Sequence, residues 1–203
     1  EVQNYGLLLQ VAGGRERLLA FMQQHPGAPS GAAEQDRLAR ALHARKNILY
    51  AEQVAQGHIQ ARPGVRRLMD ECRREGVALA VATTTSTSNL QALFSSLFGE
   101  AWRERFAAVV CAEDAPLKKP DPQAYRLALQ RLGVGANQAF ALEDSPNGLQ
   151  AARAAGIACG ITRSAYFADA KFDQAAWVRD DLDTPTPLHL AALQHRLGAA
   201  PAD

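Results

Sequence analysis

The sequence predicts an α/β fold, a parallel sheet with helices on both faces, joined to a small all-helical unit. Two observations carry this reading. From Ala61 onward, short apolar runs alternate with helical stretches, as they do where parallel strands are connected through helices. Before Ala61, apolar positions recur at helical spacing instead. The predicted division is residues 1–60 for the helical unit, incomplete at its N-terminus, and 61–203 for the α/β core.

Taken in order, residues 14–24 and 32–56 read as two helices separated by the breaker stretch HPGAPSGA, with Leu38, Leu42 and Leu49 among the apolar positions of the second. They are expected to form a small bundle laid against the core. RPGV at 62–65 is a proline-glycine turn that opens the helix leading into the first strand. The strand-like runs are VALAVAT (77–83), AAVVCA (107–112), AFALE (139–143), IACGIT (157–162) and AAWV (175–178). Between them, Asp121-Pro122 and Ser145-Pro146 each offer an N-cap side chain followed by proline, and Gly133 and Gly156 are placed to end the same two helices.

Composition narrows the function. With 203 residues, 47% hydrophobic and 21% charged, the chain can bury a real core. A formal net charge of +1 without long like-charge runs points to neither a nucleic-acid surface nor a polybasic membrane patch. Cys72, Cys111 and Cys159 are odd in number and sit in apolar surroundings, as buried free thiols of a cytoplasmic protein would. No apolar run reaches the ~20 residues of a membrane span. The five histidines show no metal-ligand spacing.

Ligands of open parallel sheets gather beyond the carboxyl ends of the strands. Three chemical groups fall at such ends. Thr83 closes one strand and leads into Thr84 and Thr85; Lys119 follows the next; Glu143 and Asp144 close the third. Alone, each has an ordinary explanation: a β-branched strand end, a solvated lysine, acidic residues near a helix start. Together and in this order they suit a phosphate and a hard cation. Hydroxyl and helix-start N–H groups accept an anion, lysine neutralises it, and one or two carboxylates suffice for Mg²⁺.

VATTTSTSN, KKPDPQAY and LEDSPNGLQAARAAG resemble the second, third and fourth motifs of the haloacid dehalogenase superfamily of phosphohydrolases. With GGRERL and LHARKN in the helical part, the wording resembles the CbbY-type sugar-phosphate phosphatases and, more distantly, β-phosphoglucomutase. The resemblance implies a Rossmann-like core with a helical cap, Mg²⁺ dependence and hydrolysis through an aspartyl-phosphate. On it, Thr83 holds the transferring phosphoryl group, and Lys119 binds that group and the nucleophile. Thr84 and Thr85 add phosphate contacts, and Asp144 ligates magnesium with Glu143 in support. Arg15, Lys46 and Asn47 match cap positions that contact the distal end of a sugar phosphate, which makes a sugar bisphosphate such as xylulose 1,5-bisphosphate a candidate substrate. As ordinary helix charges, Arg15 and Lys46 would be solvated.

The first family motif, DxDGT, which carries the nucleophilic aspartate, is not in the sequence. Asp181-Leu182-Asp183 lacks its glycine-threonine continuation and is rejected as the nucleophile. A segment N-terminal to Glu1 is therefore expected to carry the motif, on a strand in the middle of the sheet. Three readings stay open: a sugar-phosphate phosphatase whose nucleophile precedes Glu1, a phosphosugar mutase, and a non-catalytic phosphosugar-binding module. Oligomeric state is not legible.

Overall fold

A computed structural model describes residues 8, 9 and 11–198. Two helices come first, α1 (Gly14–Gln24) and α2 (Ala32–Ala55). The α/β part follows as α3 (Val65–Arg74), β1 (Ala80–Ala82), α4 (Thr87–Phe98), β2 (Ala108–Val110), α5 (Gln123–Leu132), β3 (Phe140–Glu143), α6 (Pro146–Ala154), β4 (Ala158–Thr162), β5 (Trp177–Arg179) and α7 (Leu190–Gly198). Short 3₁₀ turns lie at Glu100–Arg105, Ala136–Gln138 and Ala165–Phe167.

Every strand pairing is parallel. β1 pairs with β2, from Ala80 opposite Ala108 to Ala82 opposite Val110. β4 pairs with β3 on one side and β5 on the other. Among the described residues the strands thus form a two-stranded and a three-stranded sheet, and β1 and β3 do not pair. The α/β class read from the alternating runs is the class observed, with each strand inside or within a residue of its expected run.

Helix ends follow their capping chemistry. Ser145 caps α6, its hydroxyl accepting from Gly148 N at 3.1 Å, with Pro146 in the first turn. Gly133 ends α5 in the left-handed region at φ 69°, a conformation that glycine adopts without a Cβ penalty. Gly156, at φ 80°, stands two residues beyond the end of α6, just after the cap residue Ala155. At the start of α5 the cap differs by one residue: Pro122 occupies the cap position, and the Asp121 carboxylate accepts from Gln123 N at 2.8 Å.

Among the described residues four apolar clusters fill the α/β part, one of them formed by Val110, Ala115, Ala124 and Ala128 between β2 and α5. Ile161, Leu149 and Cys159 belong to the one beneath β3 and β4. Leu90, Trp102 and Cys111 pack beside β2, where Trp102 is fully buried and meets Phe94 edge-on at 5.1 Å. Leu68, Leu182 and Leu193 fasten α7 to α3. All three cysteines are free and buried, and burial holds each thiol up, that of Cys159 at about 12.

The two helices read from apolar spacing are present, at Gly14–Gln24 and Ala32–Ala55. The leucines that marked the second are open: Leu38, Leu42 and Leu49 are 37%, 42% and 44% exposed, while Ala39 and Val54 are buried at 0% and 2%. The face that packs is the one carrying the small residue, because Ala39 lets α2 come close. Periodicity marks an apolar stripe but not which stripe is covered.

Candidate functional site

The site forms at the carboxyl ends of β1 and β3. Thr83 N donates to Val110 O at 2.9 Å, which extends the β1–β2 ladder one residue past the strand. The chain then turns, and Thr83 Oγ1 accepts from Thr85 N at 3.2 Å. Thr85 O in turn accepts from Ala112 N at 2.9 Å, so the loop is pinned to the end of β2. Ser86 closes it as the cap of α4.

Lys119 joins the two sheets. Its Nζ donates to Ala82 O at 2.8 Å, one residue before Thr83, and forms an ion pair with the Glu143 carboxylate at the end of β3. Both side chains are largely buried, at 13% and 9% exposure. The residue that sequence reasoning missed is Tyr125 on α5. Its hydroxyl donates to Glu143 Oε1 at 2.6 Å, and its ring lies 4.6 Å from Lys119 Nζ. Burial and the carboxylate beside it push its phenol far up, so it serves as a fixed donor. The available signal was its place at the end of KKPDPQAY, three residues beyond the proline that starts the helix.

Glu143 is also held from the α6 side. A Cβ at Gly148 would collide with the Glu143 carboxylate, which explains the glycine in SPNG. Asp144 is different. It follows the end of β3 and is exposed at the surface. Burial, then the neighbouring Glu143, raises its carboxyl, and Arg62 and Lys119 offset this only in part. Among the described residues no lysine or arginine forms an ion pair with it.

Two adjacent carboxylates, of which only Glu143 is paired with a lysine, leave unmatched negative charge on hard oxygen ligands. That donor set fits Mg²⁺, which retains waters and takes one or two carboxylates. Among the described residues no third His, Cys, Asp or Glu completes a ligand cluster. Asp181 and Asp183 are occupied elsewhere: Asp181 accepts from Asp183 N and Thr184 N at 2.8 and 2.7 Å, and Asp183 pairs with Arg67 at 2.9 Å.

The helical pair meets the core beside this rim. Lys118, next to Lys119, reaches Glu16 of α1 at 2.8 Å, and Asn89 of α4 donates to Asn47 of α2 at 3.3 Å. Lys46 lies near Gly14 and His43; burial, then Arg17, lowers its ammonium. Arg15 turns along the helices, where Asp36 accepts from its Nε at 3.0 Å. Thr83, Lys119, Glu143 and Asp144 are therefore brought to one rim, with Thr84 and Thr85 in its loop. Arg15, Lys46 and Asn47 lie on the helices next to it.

Fold and rim together define a phosphohydrolase with a Rossmann-like core, and the chain belongs to the haloacid dehalogenase-like hydrolase family, which matches residues 2–156. It is similar to the plasmid-borne protein CbbY of Cupriavidus necator, 40% identical over 195 residues that cover 95% of this chain and 77% of that protein. The crystal structure of CbbY from Rhodobacter sphaeroides in complex with phosphate aligns with a TM-score of 0.79 at 38% identity, over 87% of this chain and 76% of that one. A mutant of the same protein in complex with xylulose 1,5-bisphosphate aligns with a TM-score of 0.78 at 37% identity, over the same shares.

Proposed function

We propose that this protein is a Mg²⁺-dependent phosphatase of small phosphorylated sugars, with residues 1–60 as a cap over a core of residues 61–203. The observation that carries the reading is the Lys119 ammonium, held between Ala82 O and the Glu143 carboxylate at the junction of the two sheets. A cation buried there faces a transferring phosphoryl group and the carboxylate that attacks it. In this reading the nucleophilic aspartate comes from a segment N-terminal to Glu1, on a strand between β1 and β3. The Thr83 hydroxyl and the N–H groups of Thr84 and Thr85 receive phosphoryl oxygens.

Tyr125 keeps Glu143 oriented, so that Lys119 stays aimed. Asp144, with Glu143 behind it, would hold Mg²⁺, which supplies charge neutralisation at the phosphoryl oxygens when bound.

Arg15, Lys46 and Asn47 would contact the far end of the sugar phosphate. A guanidinium can grip a second phosphate bidentately, for which Arg15 must leave or share Asp36. The relative solved with xylulose 1,5-bisphosphate supports a bisphosphate as substrate.

The test is phosphate release from xylulose 1,5-bisphosphate and xylulose 5-phosphate by the protein expressed from its whole reading frame, with and without Mg²⁺. A preference of about tenfold or more for the bisphosphate, equivalent to ~1.4 kcal/mol of transition-state binding, is expected. Equal rates would remove the distal clamp, and no Mg²⁺-dependent release from either sugar would overturn the phosphatase reading.

A further inference from the structure

Arg62 stands where the chain passes from the helical pair into the core, and its side chain is spent entirely on the core. Its guanidinium donates to Thr162 O at 2.8 Å, Thr162 Oγ1 at 3.1 Å, Arg163 O at 2.7 Å and Asp180 O. Thr162 ends β4, and Asp180 directly follows β5. One planar fork therefore ties this point of the chain to the carboxyl ends of two neighbouring strands, about a hundred residues away in sequence. Such a fork is a preorganised donor set that lysine cannot reproduce.

The backbone on either side of Arg62 differs sharply. On the core side, Leu182 N donates to Pro63 O at 3.3 Å and Val65 N to Arg62 O at 3.2 Å. A Cβ at Gly64, which sits at φ 78°, would stand 2.6 Å from Leu182 Cβ and 2.8 Å from its carbonyl carbon. On the helix side, Gly57 at φ 72° has open space around it. Among the described residues, the amides of residues 59–61 donate to no backbone carbonyl. The amides of residues 56–58 still bond back to α2, so the linker has a loose stretch, 59–61, running into a clamped one, 62–64.

We propose that Arg62 is a positioning residue that fixes the core end of this linker to the sheet, so that the helical pair turns about residues 59–61 and returns to one register over the phosphate rim. The inference rests on the phosphatase reading, in which the pair covers the substrate. Arg62 hydrogen-bonds no reacting group in this scheme and reaches Asp144 through its charge alone. It acts by setting where α1 and α2, with Arg15, Lys46 and Asn47, come down relative to Thr83 and Lys119.

The test compares two substrates in the intact protein and its Arg62→Met and Arg62→Lys variants. A phosphorylated sugar needs the helical pair, whereas p-nitrophenyl phosphate, whose leaving group is flat and uncharged, is processed by the rim alone. Arg62→Lys, which keeps the positive charge near Asp144 but loses the fork, is expected to lower kcat/KM for the sugar phosphate about tenfold or more while the p-nitrophenyl phosphate value stays within about twofold, and Arg62→Met is expected to lower the sugar phosphate value at least as much. Equal losses on both substrates, or no loss on either, would overturn the proposal.

Hydrogen exchange on the unmodified protein tests the same point without a variant. Amides 59–61 should exchange at least about tenfold faster than those of Val65 and Leu68, which donate to Arg62 O and Gly64 O, and equal rates across the boundary would overturn the anchor. Failure of the unmodified protein to hydrolyse any phosphoester would count against the phosphatase reading instead, and the exchange result would still decide whether Arg62 is an anchor.

Discussion

Two glutamates with largely covered side chains each organise a polar cluster in the α/β part, and the two clusters differ in how their carboxylates are paired. Glu71, on α3, accepts from Leu190 N at 2.9 Å, His189 Nδ1 at 2.8 Å and Arg67 at 2.8 Å. Burial pushes its carboxyl up, but those donors together outweigh burial and bring it down to about 2. Arg67 also reaches Asp183 and the carbonyls of Leu182 and Leu188, so the network ties α3 to the start of α7. Glu143 likewise has a cation and a neutral donor, in Lys119 and Tyr125, but Asp144 stands next to it and is held up rather than down. In the first cluster one cation, Arg67, meets both carboxylates, Glu71 and Asp183, and the group fastens the fold. In the second, Lys119 meets Glu143 alone, and among the described residues Asp144 is in no ion pair, the condition in which a cation and an anionic substrate can be taken up together. Whether each carboxylate is met by a cation, rather than burial or the number of hydrogen bonds, separates the functional cluster from the structural one.

The largest effect is expected from Lys119→Met. In the phosphatase reading it removes the cation that faces the transferring group, and kcat should fall by about 10²–10³ or more. Circular dichroism should still report a folded protein. A variant retaining more than a tenth of the activity would break the distinction between the two clusters.

Asp144→Asn sharpens it. Removing one of two adjacent carboxylates should reduce Mg²⁺-dependent activity by about 10²-fold. Because burial and Glu143 raise the Asp144 carboxyl, its charged form opposes folding above that raised pKa, so the asparagine variant should melt higher than the parent in metal-free buffer. A lower melting temperature would show that Asp144 is satisfied after all.

Glu71→Gln should do the reverse, leaving kcat within about twofold and costing about 2 kcal/mol, or about 4–8 °C in Tm for a chain of this length. The sign of the pH effect follows from the depressed carboxyl. Its contribution is complete above the ordinary glutamate range near 4.5 and is lost as pH falls through about 2. Acid titration of stability should therefore be shallower in Glu71→Gln, and identical slopes would remove Glu71 from the account. Smallest of all, His189→Ala touches the exposed edge of the same network, with a side chain 60% open to solvent, and should cost about 0.5 kcal/mol or less.

Local chemistry made much of this molecule readable in advance. Ser145, Gly133 and Gly156 mark helix ends because an N-cap hydroxyl and a left-handed glycine act within a few residues of themselves. The rim residues Thr83, Lys119, Glu143 and Asp144 were legible for a related reason. A parallel sheet sends the carboxyl ends of its strands to one edge, so residues ending successive strands must converge. Tyr125 was not legible, since its reach to Glu143 depends on how α5 lies against β3. Nor was the exposure of Leu38, Leu42 and Leu49, because an apolar stripe does not name its partner.

What the sequence determined by itself, then, is the order and type of the elements and the chemical groups that end the strands, since those depend on short-range sterics, capping and strand direction. Tertiary structure alone decided which carboxylate is satisfied and which is left in surplus, and it alone placed Arg62 across the ends of β4 and β5. Charge balance and donor sharing depend on groups far apart in the chain, and only packing sets the distances over which they act.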